Sequence, residues 1–555
     1  PALFRTNRKR MIPQPLRSTA ARFVVGALLL APFTSFAQES KLKVDVKSDV
    51  TGAPDEGVGV VKMVKGDATT VVALQTKNST VALGGVMQRD LAWSLAVYDR
   101  TSMILAKADA PKVVWGEDPV NLETIENFNG RFRLLCTQPD VENGKLRFIQ
   151  QVLDPRSLTG KGAQEFYLMP FDRLNKGTDY YNRNMAVGFT SVINQDSTML
   201  LLQLTPDNTT RSAGCPVHAM VFNRDMKLKW FNTLETAPGL QAMQIISTKV
   251  DKKGAAWYLI KNITDMAPKD LKNTGFSYVV YRMDSLGQQS AVLDLPGGDY
   301  ASDVRMELLP DGKMMCGGVY ASDEHSRGSS LGLFLTTLDP ANAKDPKGWH
   351  FGAFRQYEMN KVVDKKKGEM PRSMVQMVRL LPRTDGGADI VAEDNGLKTF
   401  TVSDLSGKPK EKTNWDHGPI HVMRFLGSGG DPVFYTMVDR SLVFENNEPG
   451  RIIATEVQDV LFLFMNDDES YIEKRKEKIP LERVAFAKDA VMFEFKGDGT
   501  FKNKMYMQDI YDAVQFLPTQ VWYITPTLIG LPGSHGFGKA KTSPVCIQFG
   551  ASGRR

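Results

Sequence analysis

Residues 460–465 read Val-Leu-Phe-Leu-Phe-Met, and residues 491–498 read Val-Met-Phe-Glu-Phe-Lys-Gly-Asp. The first stretch is apolar throughout, which favours a β-strand that is buried on both faces. The second stretch alternates, with Val and Phe on one face and Met492 and Glu494 on the other, which indicates a strand with one buried face and one face that is wet or partly wet. It ends in Gly-Asp, a sequence typical of a tight turn. Together the two stretches predict neighbouring strands of one sheet.

The same arrangement repeats along the chain. An Asp or Asn turn ends an alternating strand at seven landmarks, namely Asp99, Asp154, Asn223, Asp284, Asp339, Asp431 and Asp498. Turns such as Asn129-Gly130 and Asp311-Gly312 separate pairs of apolar runs and predict hairpins. The repeat of roughly 60 residues suits a four-stranded sheet with its loops. The longest interval, between the fifth and sixth landmarks, contains an extra hairpin near residues 401–415.

Repeated four-stranded sheets predict an all-β fold in which the sheets pack radially. An isolated sheet leaves both faces uncovered, whereas radial packing covers both and exposes only short edges. We therefore predict a β-propeller of about seven four-stranded blades, within a range of six to eight. The alternating strand at 41–46 and the last strand at 543–549 are expected to share one blade and close the ring. A pair of β-sandwich domains is the alternative, and the regular period argues against it.

The N-terminal segment has the composition of an export signal. Residues 1–37 contain six basic side chains and no acidic one, an apolar run from Phe23 to Phe33, and small residues in Ser35-Phe36-Ala37. This order predicts a secretory signal peptide over 1–37, followed by a single propeller domain over 38–555. The predicted location is the periplasm or the outer cell surface.

The net charge of the chain comes from this segment. The whole sequence has 69 Lys and Arg against 63 Asp and Glu, a formal charge of +6. Six of the basic residues lie in 1–37, so the remainder is formally neutral and no nucleic-acid partner is expected. The apolar run is shorter than the roughly 20 residues of a membrane-spanning helix, and no later run approaches that length. No transmembrane segment is therefore expected after removal of the signal.

The layout resembles a group of uncharacterised exported β-propeller proteins of Gram-negative bacteria. The resemblance is carried by Phe222-Asn223-Arg224-Asp225 with Trp230, by Met283-Asp284-Ser285-Leu286-Gly287, and by Glu494-Phe495-Lys496-Gly497-Asp498-Gly499. It covers residues 60–549 and is one of layout. It implies the fold and export, and it brings no catalytic residues with it.

One motif resembles a phosphate-binding loop. Residues 533–539 follow the pattern G-x-x-x-x-G-K, but Ala540 stands where the motif requires Ser or Thr to hold magnesium. The following residues include Pro544 and do not predict a helix. We interpret the motif as a glycine-rich connection between strands, and no cofactor is predicted.

The densest polar and aromatic cluster is Trp415-Asp416-His417-Gly418-Pro419-Ile420-His421. On a helix, His417, His421 and Asp416 could supply metal ligands, but Gly418-Pro419 disfavours a helix. We expect a surface loop here. The candidate ligand-binding residues are Trp415, Asp416, His417 and His421, against the simpler interpretation of an incidental histidine pair. No metal site and no catalytic residue is predicted.

These features favour an exported, non-catalytic binding or scaffold protein that presents a propeller face to a protein or glycan partner. Two alternatives remain open at this point. One is a propeller glycosidase or other hydrolase of the cell envelope or periplasm. The other is a scaffold subunit of an envelope assembly.

Overall fold

The computed structural model describes the chain in segments. These are residues 42–48, 58–83, 86–111, 113–140, 142–170, 187–206, 217–235, 240, 242–264, 275–322, 330–354, 374–403, 408–444, 450–479, 481, 489–507, 514–517, 520–535 and 541–551. The predicted signal peptide over 1–37 lies outside the described residues, as does most of the glycine-rich connection, at 536–540.

The described chain forms eight antiparallel sheets, here called blades 1 to 8, and blades 1–7 are each built from consecutive strands. The chain begins with β1 (Leu42–Ser48) and continues through blade 1 with β2 (Val58–Lys65), β3 (Thr70–Leu83), β4 (Val86–Asp99) and β5 (Leu105–Asp109). A small hairpin of β6 (Val114–Trp115) and β7 (Asp118–Pro119) follows. Blade 2 contains β8 (Asn121–Phe128), β9 (Arg131–Asp140), β10 (Lys145–Val152) and β11 (Gln164–Pro170). Blade 3 contains β12 (Val187–Ile193), β13 (Met199–Pro206), β14 (Val217–Asn223) and β15 (Leu228–Leu234). Blade 4 contains β16 (Ala242–Val250), β17 (Ala256–Ile263), β18 (Phe276–Asp284) and β19 (Gly287–Val292).

The second half repeats the pattern with two elaborations. Blade 5 contains β20 (Asp299–Leu308), β21 (Met314–Ser322), β22 (Ser330–Asp339) and β23 (Asn342–Ala353). Blade 6 contains β24 (Met374–Pro382), β25 (Ala388–Ser403), β26 (Pro409–Phe425) and an outer strand in two pieces, β27 (Phe434–Val438) and β28 (Leu442–Phe444). Blade 7 contains β29 (Ile453–Val457), β30 (Val460–Asp467), β31 (Asp489–Phe495) and β32 (Phe501–Met507). Blade 8 contains β33 (Val514–Phe516), β34 (Trp522–Thr525), β35 (Leu528–His535) and β36 (Lys541–Ala551), completed by β1.

Helical structure within the described segments is limited to a 3-10 turn at Pro296–Gly298 and a short helix, α1 (Glu469–Lys476). The side chain of Asp468 caps α1 by accepting a hydrogen bond from the Ser470 amide at 2.9 Å. Neither element is long and apolar enough to cross a membrane, and the same holds for every helix among the described residues.

The first strands of the blades lie at the centre of the ring. In blades 1 to 6 the first strand of each blade contacts the first strand of the next, and in blade 8 the short strand β34 contacts β2. Tyr523 of β34 also donates a hydrogen bond to Ala454 of β29 in blade 7. Because neighbouring strands are antiparallel, the turns between first and second strands and between third and fourth strands lie on one side of the ring, called here the turn face. All other connections lie on the opposite side, called the loop face. The first strands therefore line a central channel that joins the two faces.

Apolar side chains from both faces of each blade fill the spaces between blades. In β30, Leu461 and Leu463 pack towards blade 6, whereas Phe462 and Phe464 pack towards blade 8. This confirms the prediction of a strand buried on both faces. The prediction of a wet face for β31 is wrong at Met492, which is buried against blade 8. Clusters of this kind join each of the eight neighbouring pairs of blades.

The ring is closed by pairing of the two ends of the described chain. Strand β1 pairs with β36 in an antiparallel register that runs from Leu42 opposite Ala551 to Ser48 opposite Val545. The last apolar cluster joins Val60 and Met63 of blade 1 to Leu528 and Cys546 of blade 8. The predicted shared blade is therefore confirmed.

The ring has eight blades, which is within the predicted range and one more than its central value of seven. The seven landmarks each mark the end of the third strand in blades 1 to 7. Blade 8 takes its third strand, β36, from the C-terminal end of the described chain and its fourth strand, β1, from the other end. No turn joins these two strands, so blade 8 has no landmark and the count from the sequence falls one short.

The landmark side chains act as caps for their turns. Asp99 accepts hydrogen bonds from the amides of Thr101 and Ser102 at 3.0 and 2.8 Å. Asp154 accepts the equivalent bonds from Arg156 and Ser157 at 2.9 and 2.8 Å. These backbone hydrogen bonds lower the pKa of both carboxyl groups, because they stabilise the charged form. The Asp and Asn pattern of the sequence therefore has a direct structural cause.

The register of ring closure can be tested with a cross-strand disulfide. Lys47 lies opposite Cys546, which is buried and has no disulfide partner. Directly opposite residues of an antiparallel pair project from the same face at a separation that a disulfide can span. We expect oxidation of a Lys47→Cys variant to cross-link it to Cys546, as detected by mass spectrometry of peptides. The neighbouring Ser48→Cys variant is the matched control, since its side chain projects from the other face. Cross-linking of the control in place of Lys47→Cys would contradict this register.

Candidate functional site

The predicted cluster at 415–421 lies in a strand and not in a surface loop. It occupies the middle of β26, whose pairing with β25 extends as far as Ser403 opposite Pro409. The insertion predicted near 401–415 is therefore a lengthening of the β25–β26 hairpin and not an extra hairpin. A one-residue bulge in β26 at Gly418-Pro419 reverses the alternation, so His417 and His421 project from opposite faces, and they are only 1% and 3% exposed. Trp415 and Asp416 are half-buried, and Asp416 projects from the face opposite to that of His417.

Two acidic side chains of β25 lie beside the histidines. The register shifts between Glu393 and Asn395, and Gly418 and Pro419 of β26 together stand opposite Asp394, so the extra residue belongs to β26. Glu393 Oε2 lies 3.7 Å from His417 Nδ1, and Asp394 Oδ1 lies 3.6 Å from His421 Nε2. Both contacts are longer than hydrogen bonds. A Cβ atom on Gly418 would lie 2.8 Å from the Cβ of Asp394, so the absence of a side chain at this position permits the close approach.

Arg440 occupies the gap between the two pieces of the outer strand. Pro419 has no amide hydrogen, and the pairing of β26 passes from β27 to β28 around this point. The Arg440 guanidinium donates to Glu393 Oε2 at 2.6 Å, to Gly450 O at 2.7 Å and to Gly418 O at 3.2 Å. All three acceptors are groups of the protein itself. Arg440 thereby replaces the hydrogen bonds that a continuous outer strand would make.

The electrostatics of this cluster favour one charged pair and a neutral imidazole. Burial opposes ionisation of Glu393, but its contacts with His417 and Arg440 outweigh burial and lower its pKa. Burial is also the main cause that lowers the pKa of His417. His421 is held by aromatic neighbours, with the Tyr435 hydroxyl 2.8 Å from Nδ1 and the Phe354 ring centroid at 4.5 Å. This cluster, called here the blade 6 polar core, joins β25, β26 and the outer strand.

Across the described segments, no group of three or more His, Cys, Asp or Glu side chains is arranged to hold a metal ion.

The central channel contains two further sets of charged side chains. In the first set, Lys62 of blade 1 forms an ion pair with Glu126 of blade 2. Its ammonium group also donates to Thr124 Oγ1 and Ser191 Oγ, both at 3.2 Å. The Ser191 hydroxyl, from blade 3, donates to Glu126 in turn. One lysine thus connects the first strands of three blades.

The second set spans the opposite part of the channel. Lys249 of blade 4 donates to Glu307 Oε2 of blade 5 at 2.6 Å. Arg379 of blade 6 lies 3.9 Å from the other oxygen of Glu307. The Arg379 guanidinium also lies 4.1 Å from the ring centroid of Tyr523 of blade 8. The Tyr523 hydroxyl donates to Ala454 O of blade 7 at 2.9 Å, so the set connects five blades.

Tyr523 shows that this part of the channel is open to solvent. Its side chain contacts blades 6 and 7 but remains 37% exposed. A residue that touches several blades and is still accessible faces an internal space. Burial raises the pKa of Tyr523, Arg379 opposes this shift, and the Glu307 charge adds to it. We therefore take Arg379 and Tyr523 with Lys249 and Glu307 as the candidate functional site, called here the channel site.

A third ionic cluster lies between blades 6 and 7. Arg383 Nη1 lies 3.4 Å from Glu456 Oε1 and 3.8 Å from Asp389, which Arg424 holds through two hydrogen bonds of 2.6 and 2.7 Å. The second oxygen of Glu456 is buried without a hydrogen-bond partner. Burial, followed by the charge of Asp389, raises the pKa of Glu456 from 4.5 to about 7. This carboxyl group is consequently a strained part of the interface between the two blades.

The channel sites were missed in the sequence, although a signal for them exists. The first strand slips by one residue against the second strand in blades 1, 2, 4, 5 and 6. Lys62 and Arg379 directly follow this bulge in blades 1 and 6, within otherwise apolar runs. A charged residue in the middle of an apolar first strand is therefore the feature that indicates the channel. The separation of these residues along the chain concealed their convergence.

Eight radially arranged four-stranded blades around a channel define an eight-bladed β-propeller. No protein-family model matches the chain, and no curated protein matches it.

Several solved structures are similar over most of the chain. The WD40 domain of SCAP from fission yeast shares 8% identity at a TM-score of 0.38, covering 93% of this chain and 99% of that one. BamB from Moraxella catarrhalis shares 9% identity at a TM-score of 0.36, covering 91% and 100%. The polysaccharide lyase Uly1 shares 8% identity at a TM-score of 0.37, covering 80% and 93%. At these identities and TM-scores, the similarities give no information on substrate or partner.

The blade 6 polar core can be tested through its buried ion pair. Replacing Arg440 by Met leaves Glu393 buried without its cation, which costs about 3–5 kcal/mol of unfolding free energy at pH 7. The loss should shrink at pH 5, because without Arg440 burial favours the protonated form of Glu393, and the carboxyl group then loses its charge more readily. Urea denaturation at the two pH values measures both effects. The double variant Arg440→Met with Glu393→Gln is the control and should recover most of the stability. An equal loss in the single and double variants would refute this account.

The raised pKa of Glu456 predicts a specific pH dependence of stability. The folded protein binds the proton more tightly than the unfolded chain, so stability falls as the pH rises from 4.5 to 7. A Glu456→Gln variant should therefore be more stable than the wild type by roughly 1–3 kcal/mol at pH 8 and equally stable at pH 5. Thermal unfolding across this range is the measurement. The control is Glu473→Gln, on the exposed surface of α1, whose stability relative to the wild type should not change in this way with pH. If the stability of Glu456→Gln relative to the wild type is equally independent of pH, the proposed strain is excluded.

Proposed function

We propose that this protein is exported and serves as a non-catalytic binding or scaffold protein that engages a protein or glycan partner through its loop face and channel. The observation that carries the proposal is the difference between the two faces. On the turn face the chain reverses within connections as short as 129–130, 285–286, 340–341 and 458–459. At the loop face the described strand ends are separated by more residues, with 16 between β11 and β12, 10 between β13 and β14, 20 between β23 and β24 and 21 between β30 and β31. Long connections on one side of a rigid scaffold are the usual location of binding residues.

The interior supports a rigid scaffold. Apolar clusters join every neighbouring pair of blades, and β1 ties the first described strand into the last blade. Charged groups add cross-links at the centre, since Lys62 connects three blades and the channel site connects five. A scaffold held at its rim and its centre keeps the positions of its loops fixed relative to one another.

The chemistry of the channel favours binding over hydrolysis. The two carboxylates of the described channel sets, Glu126 and Glu307, come from blades 2 and 5 and are each held by a lysine. A glycosidase uses a pair of carboxyl groups that flank one bond, one of them as a proton donor. Two carboxylates that belong to separate ion-paired sets are suited to holding structure and attracting polar ligands. The proposal for export rests on the basic and apolar pattern of residues 1–37.

The proposal predicts that partner capture depends on the loop face. The immobilised domain is incubated with an envelope fraction of the native host, and captured material is quantified with and without prior protease treatment, which separates protein from glycan partners. Lysine is introduced at Val114 and Ile479, two exposed apolar residues of the loop face. The matched control introduces lysine at Ile104 and Leu286, exposed apolar residues of the turn face. We expect the loop-face variant to reduce capture about tenfold, a typical effect of disrupting an interface core, and the control to leave it unchanged.

Two results would reject this function. One is the absence of any captured partner, or capture that is lost only in the turn-face variant. The other is catalytic turnover of envelope glycans or peptides by the purified domain. The tagged full-length chain should also be recovered outside the cytoplasm, and retention inside would reject the export part of the proposal.

A further inference from the structure

Arg379 is a cation inside the channel whose hydrogen-bonding capacity is unused. Its guanidinium carries five N–H donors in a rigid fork. In the described part of the chain it makes no hydrogen bond, and its Nε atom is buried without a partner. The side chain is 32% exposed, so part of the fork faces the channel. The enclosed Nε–H group carries a cost unless an acceptor is supplied from elsewhere.

The neighbouring carboxylate does not supply that acceptor. Glu307 is held by Lys249 at 2.6 Å, while its distance to Arg379 is 3.9 Å. The set therefore contains two cations and one anion, and the surplus positive charge resides on Arg379. This differs from Arg440, whose guanidinium is bonded to a carboxylate and two carbonyl groups.

Tyr523 orients the unused donors. Its ring lies 4.1 Å from the guanidinium carbon, and its own hydroxyl is tied to Ala454 O at 2.9 Å. With the ring against the guanidinium, the N–H groups along the guanidinium edge are left to receive a ligand. A guanidinium edge binds carboxylates through two parallel hydrogen bonds, which is a geometry that lysine does not reproduce. Tyr523 also offers an exposed aromatic surface beside this edge.

We propose that Arg379 and Tyr523 form a binding site for the carboxylate of an acidic sugar that enters the central channel. This inference deepens the proposed function and rests on it for the biological role of the site. The Arg379 fork accepts the carboxylate, and the accessible ring of Tyr523 packs against the apolar C–H face of the sugar.

The test uses small probes and the protein without its predicted signal. Binding of glucuronate and of glucose is measured by calorimetry, since the two differ by the carboxylate. N-acetylglycine and N-acetylglycinamide form a second pair that represents the carboxylate at a peptide end. We expect glucuronate to bind and glucose to bind at least about tenfold more weakly, in line with charge-assisted hydrogen bonds. Arg379→Gln should reduce glucuronate affinity about tenfold, and Arg379→Lys should restore only part of it because the fork is lost.

Controls separate a local loss from general effects. Arg156→Gln removes the same charge from the turn face, where Arg156 pairs with Asp67, and should leave glucuronate binding unchanged. If Arg379→Gln does not fold, as judged by circular dichroism, Tyr523→Ala is measured instead and should weaken glucuronate binding. Unchanged affinity in the folded Arg379→Gln variant, or equal binding of glucose, would overturn the site. Binding of N-acetylglycine without binding of glucuronate would overturn the sugar and assign a peptide carboxylate. Failure of partner capture with intact glucuronate binding would reject the scaffold role alone.

Discussion

Burial of both faces of every sheet is the constraint on which the structure depends. In blade 7, leucines of β30 fill one interface and phenylalanines of the same strand fill the other. Each such side chain contributes roughly 1.5–3 kcal/mol when it is removed from water. A blade that lacks a neighbour on one side would lose this contribution on that side. An open row of blades would therefore be unstable at both ends. The pairing of β1 with β36 and the cluster between blades 8 and 1 remove both ends at once.

Closure of the ring determines the chemistry at its centre. The first strands are the narrowest part of each blade, and their convergence brings side chains from non-adjacent blades into contact. Lys62 thus reaches Ser191 across blade 2, and Tyr523 reaches Arg379 across blade 7. Charged groups in so confined a space must be paired or solvated. The bulges in the first strands direct Lys62 and Arg379 to these positions at the expense of regular pairing.

The sequence predicted the features that depend on local periodicity. Alternation and Asp-capped turns identified the strands, the hairpins and the shared blade of the two ends, because side-chain period and turn chemistry are local properties. It misassigned the cluster at His417 as a loop. The Gly418-Pro419 pair does interrupt pairing, but with the outer strand, and Arg440 replaces the lost bonds from 22 positions further along the chain. The channel site could not be assembled, since its residues lie in four blades and only ring closure brings them together.

A comparison of Arg440 with Arg379 separates structural from functional charge. Arg440 satisfies a carboxylate and two carbonyl groups, and these partners belong to the gap created by Pro419, so its presence is fully explained by the fold. Arg379 lies in the first strand of the same blade, and the described protein gives it a carboxylate at 3.9 Å and an aromatic face only. The fold gains no hydrogen bond from its charge in the described part of the chain, and its Nε atom is buried without a partner. A charge that the fold does not require is best explained by a ligand that does.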